Sequence, residues 1–323
     1  MSAPSPDGSP LRLLTYQSLW AMEDLPFRGE RQWTLAERVE RIAGAGFDGL
    51  AVDLGAKQKP ASTELAALLP GTGLRTAVFA FLDGDAALGD AIDYAEAIGA
   101  RDMVVCGQVF DFDLDRLAAV VHRWSERCSA AGIRMQLETH RNTMTNDLRT
   151  TVRLLERLDP AVPLAIDLSH HVCGCELPDG HHPETEALVD RLLHRAGSLQ
   201  GRVATRCQVQ VPIDFPAHAD AVARFRDWWT RGFAAIRQRR AARADVPDEV
   251  IFCCELGTRP YAIVGADGQE LSDRWAEALT LRQWARQAFT ESERLHAAGA
   301  SETTADPSSS LPISSPAPVE IPS

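Results

Sequence analysis

Strand-like and helix-like segments alternate through most of this chain, and the alternation restricts its fold more than any other feature. The strand-like runs are LRLLTYQSLW (11–20), DGLAVDL (48–54), LRTAVFAFL (74–82), DMVVCG (102–107), IRMQLET (133–139), PLAIDLS (163–169), VATRCQVQV (203–211) and VIFCCEL (250–256). Between them lie stretches with apolar residues three and four apart, such as TLAERVERIAGAG (34–46), ALGDAIDYAEAIGA (87–100), DRLAAVVHRWSERCSAAG (115–132) and NDLRTTVRLLERL (146–158). That spacing gathers apolar side chains on one helix face. Gly46, Gly73, Gly99 and Gly132 stand just before strands, where a residue tolerant of left-handed backbone ends a helix. Mostly apolar strands separated by helices form a parallel sheet with both faces covered. Eight such units close into a single (β/α)8 barrel, an α/β fold. A doubly wound open sheet is the alternative, but no Gly-x-Gly-x-x-Gly follows the first strand.

The 323 residues are 45% hydrophobic and 24% charged, enough apolar content for one large core. Residues 1–10 are rich in Pro, Ser and Gly, and 299–323 in Ser and Pro without periodicity. Both read as disordered tails around an ordered body at 11–298. The formal net charge of -12 disfavours a nucleic-acid partner, because phosphate contact relies on basic surface. No apolar run approaches membrane-spanning length, and MSAPSPDGSP has neither the basic nor the apolar region of a leader, so the expected location is cytoplasmic. The seven cysteines agree with a reducing compartment: Cys106, Cys207, Cys253 and Cys254 fall in strand-like runs and read as buried thiols. Cys173 and Cys175 stand near His170, His171, His181 and His182, but they lack the usual zinc-ligand spacer and a second Cys pair. His171, His181 and His182 read as loop residues.

Three strand-like runs finish on a carboxylate: LETHRNTMTND on Glu138, PLAIDLSHH on Asp167 and VIFCCELGTRPY on Glu255. In a barrel, the C-terminal ends of the strands share one mouth, so these groups from strands five, six and eight can converge. Converging carboxylates repel and hold protons unless a cation neutralises them, and a divalent metal with oxygen ligands does so economically. The structural alternative is that each caps a helix or pairs with an Arg. Trp20, beside the end of the first strand, and Tyr261 are candidate apolar walls for a bound ligand, with a plain core role the alternative for Trp20.

These segments resemble the xylose isomerase-like TIM barrels, the superfamily of sugar phosphate isomerases/epimerases and type-IV apurinic endonucleases. The resemblance rests on AGFDGLAVD at the second strand, LETHR at the fifth, DLSHH at the sixth and ELGTRPYAI…DGQELSDRW at the eighth, and it spans the ordered body. It implies one divalent metal per chain (Mn2+, Mg2+, Zn2+ or Co2+), held by Glu138, Asp167, a strand-seven His and Glu255, with His170 contacting substrate. Strand seven as read here contains no His, and the family's His-x-His-x-Arg pattern falls on Arg202, Ala204 and Arg206. Two outcomes follow: a weakened metal site completed by His170, Gln208 or water, or a metal-free site in which Arg206 stands in for the cation. The first is the expectation.

The activity so implied is isomerisation or epimerisation of a sugar or similar polyhydroxylated keto compound, by proton transfer through a metal-stabilised enediolate. Glu138 and Glu255 would act as base and acid, His140 and His170 would bind hydroxyls, and Arg206 would hold an anionic group. For His140, orienting Glu138 is an equal alternative. A lyase or deglycosidase cleaving a C–O or C–C bond, and a barrel that binds a metabolite without catalysis, stay open beside it. The three-zinc endonuclease branch is disfavoured by the acidic charge. The expected partner is a small carbohydrate-like substrate, with a homo-oligomer compatible and no nucleic acid or membrane involved.

Overall fold

A computed structural model of the chain describes residues 10–303. Strands β1 (Arg12–Ser18), β2 (Gly49–Asp53), β3 (Arg75–Leu82), β4 (Asp102–Gly107), β5 (Arg134–Glu138), β6 (Leu164–Ile166), β7 (Ala196–Gly201) and β8 (Glu249–Cys254) form a closed barrel in sequence order. Every neighbouring pair is parallel, β8 with β1 included, which is the (β/α)8 architecture and excludes the open sheet. The helices are α1 (Leu35–Gly44), α2 (Ser62–Leu68), α3 (Asp85–Ala97), α4 (Leu114–Ala130), α5 (Leu148–Leu155), α6 (Leu168–Gly174), α7 (Pro183–Leu193), α8 (Ala219–Ala242) and α9 (Arg274–Thr303). The tails read at 1–10 and 299–323 fall mostly outside the described residues, although α9 runs to Thr303.

Local chemistry sets the helix ends. Thr34 and Glu37 form a reciprocal capping box at the start of α1, and Asp113 and Asp147 accept backbone N–H groups at the starts of α4 and α5. At Gly46, Gly99 and Gly132 φ is 73°, 68° and 72°, the left-handed turn that carries each helix into the next strand. Two cores result. Leu14, Tyr16, Ala51, Ala77, Phe79, Val104, Ala165, Ile251 and Cys253 fill the barrel interior, while a larger set packs the strands against the helices.

Two strand readings need correction. β7 is AGSLQG at 196–201, not the more β-prone VATRCQVQV at 203–211. Its strand state is imposed from outside, by pairing with β6 and β8, because the barrel cannot close without a seventh strand. Residues 203–211 instead form a tight loop, with reciprocal backbone hydrogen bonds between Thr205 and Gln208 and a bond from Val211 N to Val203 O. Cys207 is exposed in that loop rather than buried. β6 is also shorter than read: it stops at Ile166, because the Asp167 side chain accepts from Ser169 N at 2.9 Å and so starts α6.

Arg274, at the start of α9, ties the barrel mouth together. Its guanidinium, 1% exposed, meets both oxygens of Glu270 at 2.7 and 3.0 Å, and donates to the carbonyls of Ala21, Glu23 and Leu256. One buried side chain thus joins the β1–α1 loop, the β8 end and α9. Arg274→Met leaves Glu270 buried without its partner and should lower unfolding free energy by about 3–5 kcal/mol, read by urea denaturation. A loss under about 1 kcal/mol would show that the network is not what holds these loops.

Candidate active site

Alternation along the strands carries the carboxylates into the mouth. On β5, Arg134, Gln136 and Glu138 all face inward: Arg134 pairs with Asp102 at the N-terminal end, Gln136 accepts from Ser198 at 2.7 Å in the middle, and Glu138 reaches the top. Asp167 stands two residues beyond inward Ala165, and Glu255 two beyond inward Cys253. Oxygens of Glu138, Asp167 and Glu255 lie within 4.8 Å of one another, and all three residues are buried. The convergence expected from their strand-end positions is therefore present.

The segment after β5 is tied down by its own threonines. Thr139 Oγ1 accepts from Asp167 N at 2.8 Å and donates to Asp167 O, locking β5 to β6 directly below the carboxylates. Thr143 and Thr145 hold the carbonyls of His140 and Glu138. His171, expected in a loop, is fully buried on α6 and meets Thr145 O at 2.7 Å. His181 and His182 are exposed just before α7.

Arg202 follows β7 and enters the same cluster, 2% exposed. Its Nε is 3.3 Å from Asp167 Oδ2 and a terminal nitrogen is 3.2 Å from Glu255 Oε2. The rings of Trp20 and Tyr261 lie 5.5 and 5.0 Å from its guanidinium carbon and 5.0 Å from each other, so the expected apolar walls stack around a cation. Trp20 can take that place because residue 257 is glycine: a Cβ there would stand 2.0 Å from the indole. Gln210, from the loop misread as a strand, clamps Gly257 through reciprocal hydrogen bonds of 2.7 and 3.0 Å. Arg206 and Ala204, placed in the site by the earlier register, line a separate cleft of about 640 Å3 with Asp179, Arg224 and Trp228. There Arg206 faces Glu176 at 3.8 Å. The guanidinium at the carboxylates belongs to Arg202.

The electrostatics follow from burial. Burial, then Glu255 and Asp167, push the Glu138 carboxyl well above its ordinary range. Burial lifts Glu255 to about 8 even with Arg202 beside it. Burial alone would lower the Arg202 pKa, but Asp167 and Glu255 reverse this and hold it charged. His140 and His170, with ring centroids 3.7 Å apart, are both disfavoured as cations, burial again leading; His140 falls to about 3. His140 Nδ1 meets the Arg141 carbonyl, which accepts only a donor, so the proton sits on Nδ1 and Nε2 is free. One ligand atom each from Glu138, His140 and His170 also lie within 4.8 Å of one another.

Sequence reasoning passed over several of these groups. Cys106, on β4, donates to Glu138 Oε2 at 2.7 Å, fixing one oxygen of that carboxylate. Asp53, the last residue of β2, is raised to about 6 by burial and lies within electrostatic reach of Arg202 and Glu23. Asp53 closes its strand, the same cue that identified Glu138, and Cys106 stands one residue before the end of β4.

No protein-family model and no curated protein matches this sequence. Solved structures do match. An L-ribulose 3-epimerase aligns over 92% of this chain and 99% of its own, at 16% identity and a TM-score of 0.53. D-Psicose 3-epimerase from Clostridium cellulolyticum H10, solved with D-tagatose, aligns over 85% and 99%, at 14% identity and a TM-score of 0.54. A xylose isomerase domain-containing protein from Salmonella typhimurium LT2 aligns over 88% and 100%, at 13% identity and a TM-score of 0.54. The fold this chain shares with them is the (β/α)8 barrel, and sugar epimerases are among its structural neighbours.

With its pKa near 3, His140 should stay neutral from pH 8 to pH 5. Nitrogen-15 spectra of the imidazoles should show the Nδ1-H tautomer throughout that window. A titration midpoint near 6.5 would mean that the ring is solvated.

Proposed function

We propose that this chain is an isomerase or epimerase of sugars or similar polyhydroxylated keto compounds, acting by proton transfer next to a carbonyl. The observation that carries the reading is the buried Glu138/Glu255 pair, with Asp167 and Arg202 between strands at one barrel mouth. Two such carboxylates do not readily both ionise, so one is poised to accept a proton while the other holds one. Removal of the proton next to a carbonyl by one Glu gives an enediolate. Return of a proton from the other, to the opposite face or the adjacent carbon, gives the epimer or the isomer. Cys106 orients Glu138 for this step through its S–H bond. Arg202, charged and walled by Trp20 and Tyr261, would bind the developing oxyanion or an anionic substituent. His140, through its free Nε2, and His170 would receive substrate hydroxyls.

A divalent cation suits this donor set. Glu138, Asp167 and Glu255 bring three buried carboxylates within 4.8 Å of one another against the single guanidinium of Arg202, and once all are ionised they leave two negative charges. Glu138, Asp167 and Glu255 would hold it, and when bound it would polarise the carbonyl and lower the cost of charge on the substrate oxygens.

Solvent-deuterium incorporation into candidate ketoses tests the proposal. Wild-type protein should exchange one carbon-bound hydrogen. Glu138→Gln and Glu255→Gln should each lose about 10^2–10^4-fold in rate with the fold intact by circular dichroism, since Gln cannot accept the proton. Full exchange in both variants would discard the two-carboxylate mechanism. Arg206→Ala, in the separate cleft, should turn over at the wild-type rate.

A further inference from the structure

Gln200 carries the most conspicuous unmet hydrogen-bonding capacity on the barrel's inner face. It lies on β7 between Ser198, which reaches inward to Gln136, and Arg202, which reaches inward to Asp167 and Glu255. Period-two alternation therefore turns Gln200 to the same inner face. The outward positions agree: Leu199 belongs to the core between strands and helices. Register fixes the height. Leu199 pairs with Ile166, so Gln200 stands level with Asp167, and Gln200 itself pairs with Cys253, two residues before Glu255.

The side chain is 2% exposed, and neither Oε1 nor Nε2 has a hydrogen-bond partner. A buried carboxamide left wholly unpaired is costly, so a native chain rarely keeps one without a ligand to meet it. Its surroundings show the same deficit. Asp167 Oδ2 and Glu255 Oε2 meet the Arg202 guanidinium at 3.3 and 3.2 Å without a well-formed hydrogen bond, and neither nitrogen of the buried His170 has a hydrogen-bond partner. A cation would add the positive charge that three ionised carboxylates still lack beside one guanidinium.

Resting on the proposed cation site, we infer that Gln200 supplies its strand-seven ligand: the amide oxygen joins Glu138, Asp167 and Glu255 in a four-residue, all-oxygen set for a hard divalent cation. The carboxamide Nε2 then remains to donate to a substrate oxygen. An amide oxygen needs no deprotonation and adds no charge, so the two negative charges left after Arg202 are matched by one divalent ion. Without an imidazole, the set favours Mg2+ or Mn2+ over Zn2+, whose affinity gains most from nitrogen and sulfur ligands.

Metal titration tests this independently of turnover. Mn2+ binding to metal-stripped protein is followed by electron paramagnetic resonance and by calorimetry, with Zn2+ titrated in parallel. Wild-type protein should bind one Mn2+. Gln200→Leu, which keeps the bulk and removes the unpaired amide, should lose at least the 10–100-fold in affinity that losing even an outer partner of a metal ligand costs. Gln200→His should raise the ratio of Zn2+ to Mn2+ affinity, which a merely structural role for residue 200 would not do. If Gln200→Leu and Gln200→His both bind the two ions as wild type does, while Asp167→Asn abolishes binding, the Gln200 assignment is wrong and the cation site stands. If wild-type protein binds neither Mn2+ nor Mg2+, the cation reading falls and this inference with it.

Discussion

A buried guanidinium among carboxylates organises the mouth of this barrel. Arg202 is 3.3 and 3.2 Å from oxygens of Asp167 and Glu255 and only 2% exposed. Transferring any one of these ions out of water alone would cost several kcal/mol, so none of them is stable there without the others. The surrounding architecture keeps that arrangement in place. Trp20 and Tyr261 close over the cation, Gly257 makes room for the indole, Gln210 holds Gly257, and Arg274 fastens the loops that bear Trp20 and the end of β8.

The two ends of the barrel solve the same electrostatic problem differently. At the N-terminal end, Arg134 grips both oxygens of Asp102, and Glu249 is shared by Arg12 and Arg75. The Glu249 carboxyl is accordingly lowered, chiefly by its bond to Arg75. Charge there is paired and partly solvated, which stabilises the closed sheet. At the C-terminal end, acids outnumber the cation, and burial raises Glu138 and Glu255 instead. Unmet polar capacity at the mouth sets that end apart from the paired N-terminal end, and it is there that the proposed proton transfer would take place.

Much of this was legible in the sequence. Strand-helix alternation and the helix-ending glycines determined an eight-unit parallel barrel, because hydrophobic period and left-handed turns are local properties. Three strands ending in carboxylates determined where Glu138, Asp167 and Glu255 meet, since parallel closure sends every strand end to one rim. The strand-end position of Asp53 offered the same cue and went unused. Trp20 was likewise recoverable from its place beside the end of β1.

Strand seven was not legible. AGSLQG has little intrinsic β-propensity and VATRCQVQV has much, yet only the first lies where β6 and β8 can pair with it. Pairing partners are distant in sequence, and their hydrogen bonds override the local preference. The misplaced strand moved the expected site cation from Arg202 to Arg206 and hid Gln200 altogether. Sequence alone therefore determined the barrel and three of its acids. Tertiary closure decided which residues of the seventh strand face them, because a shift in where a strand begins reassigns every side chain to a different face or height.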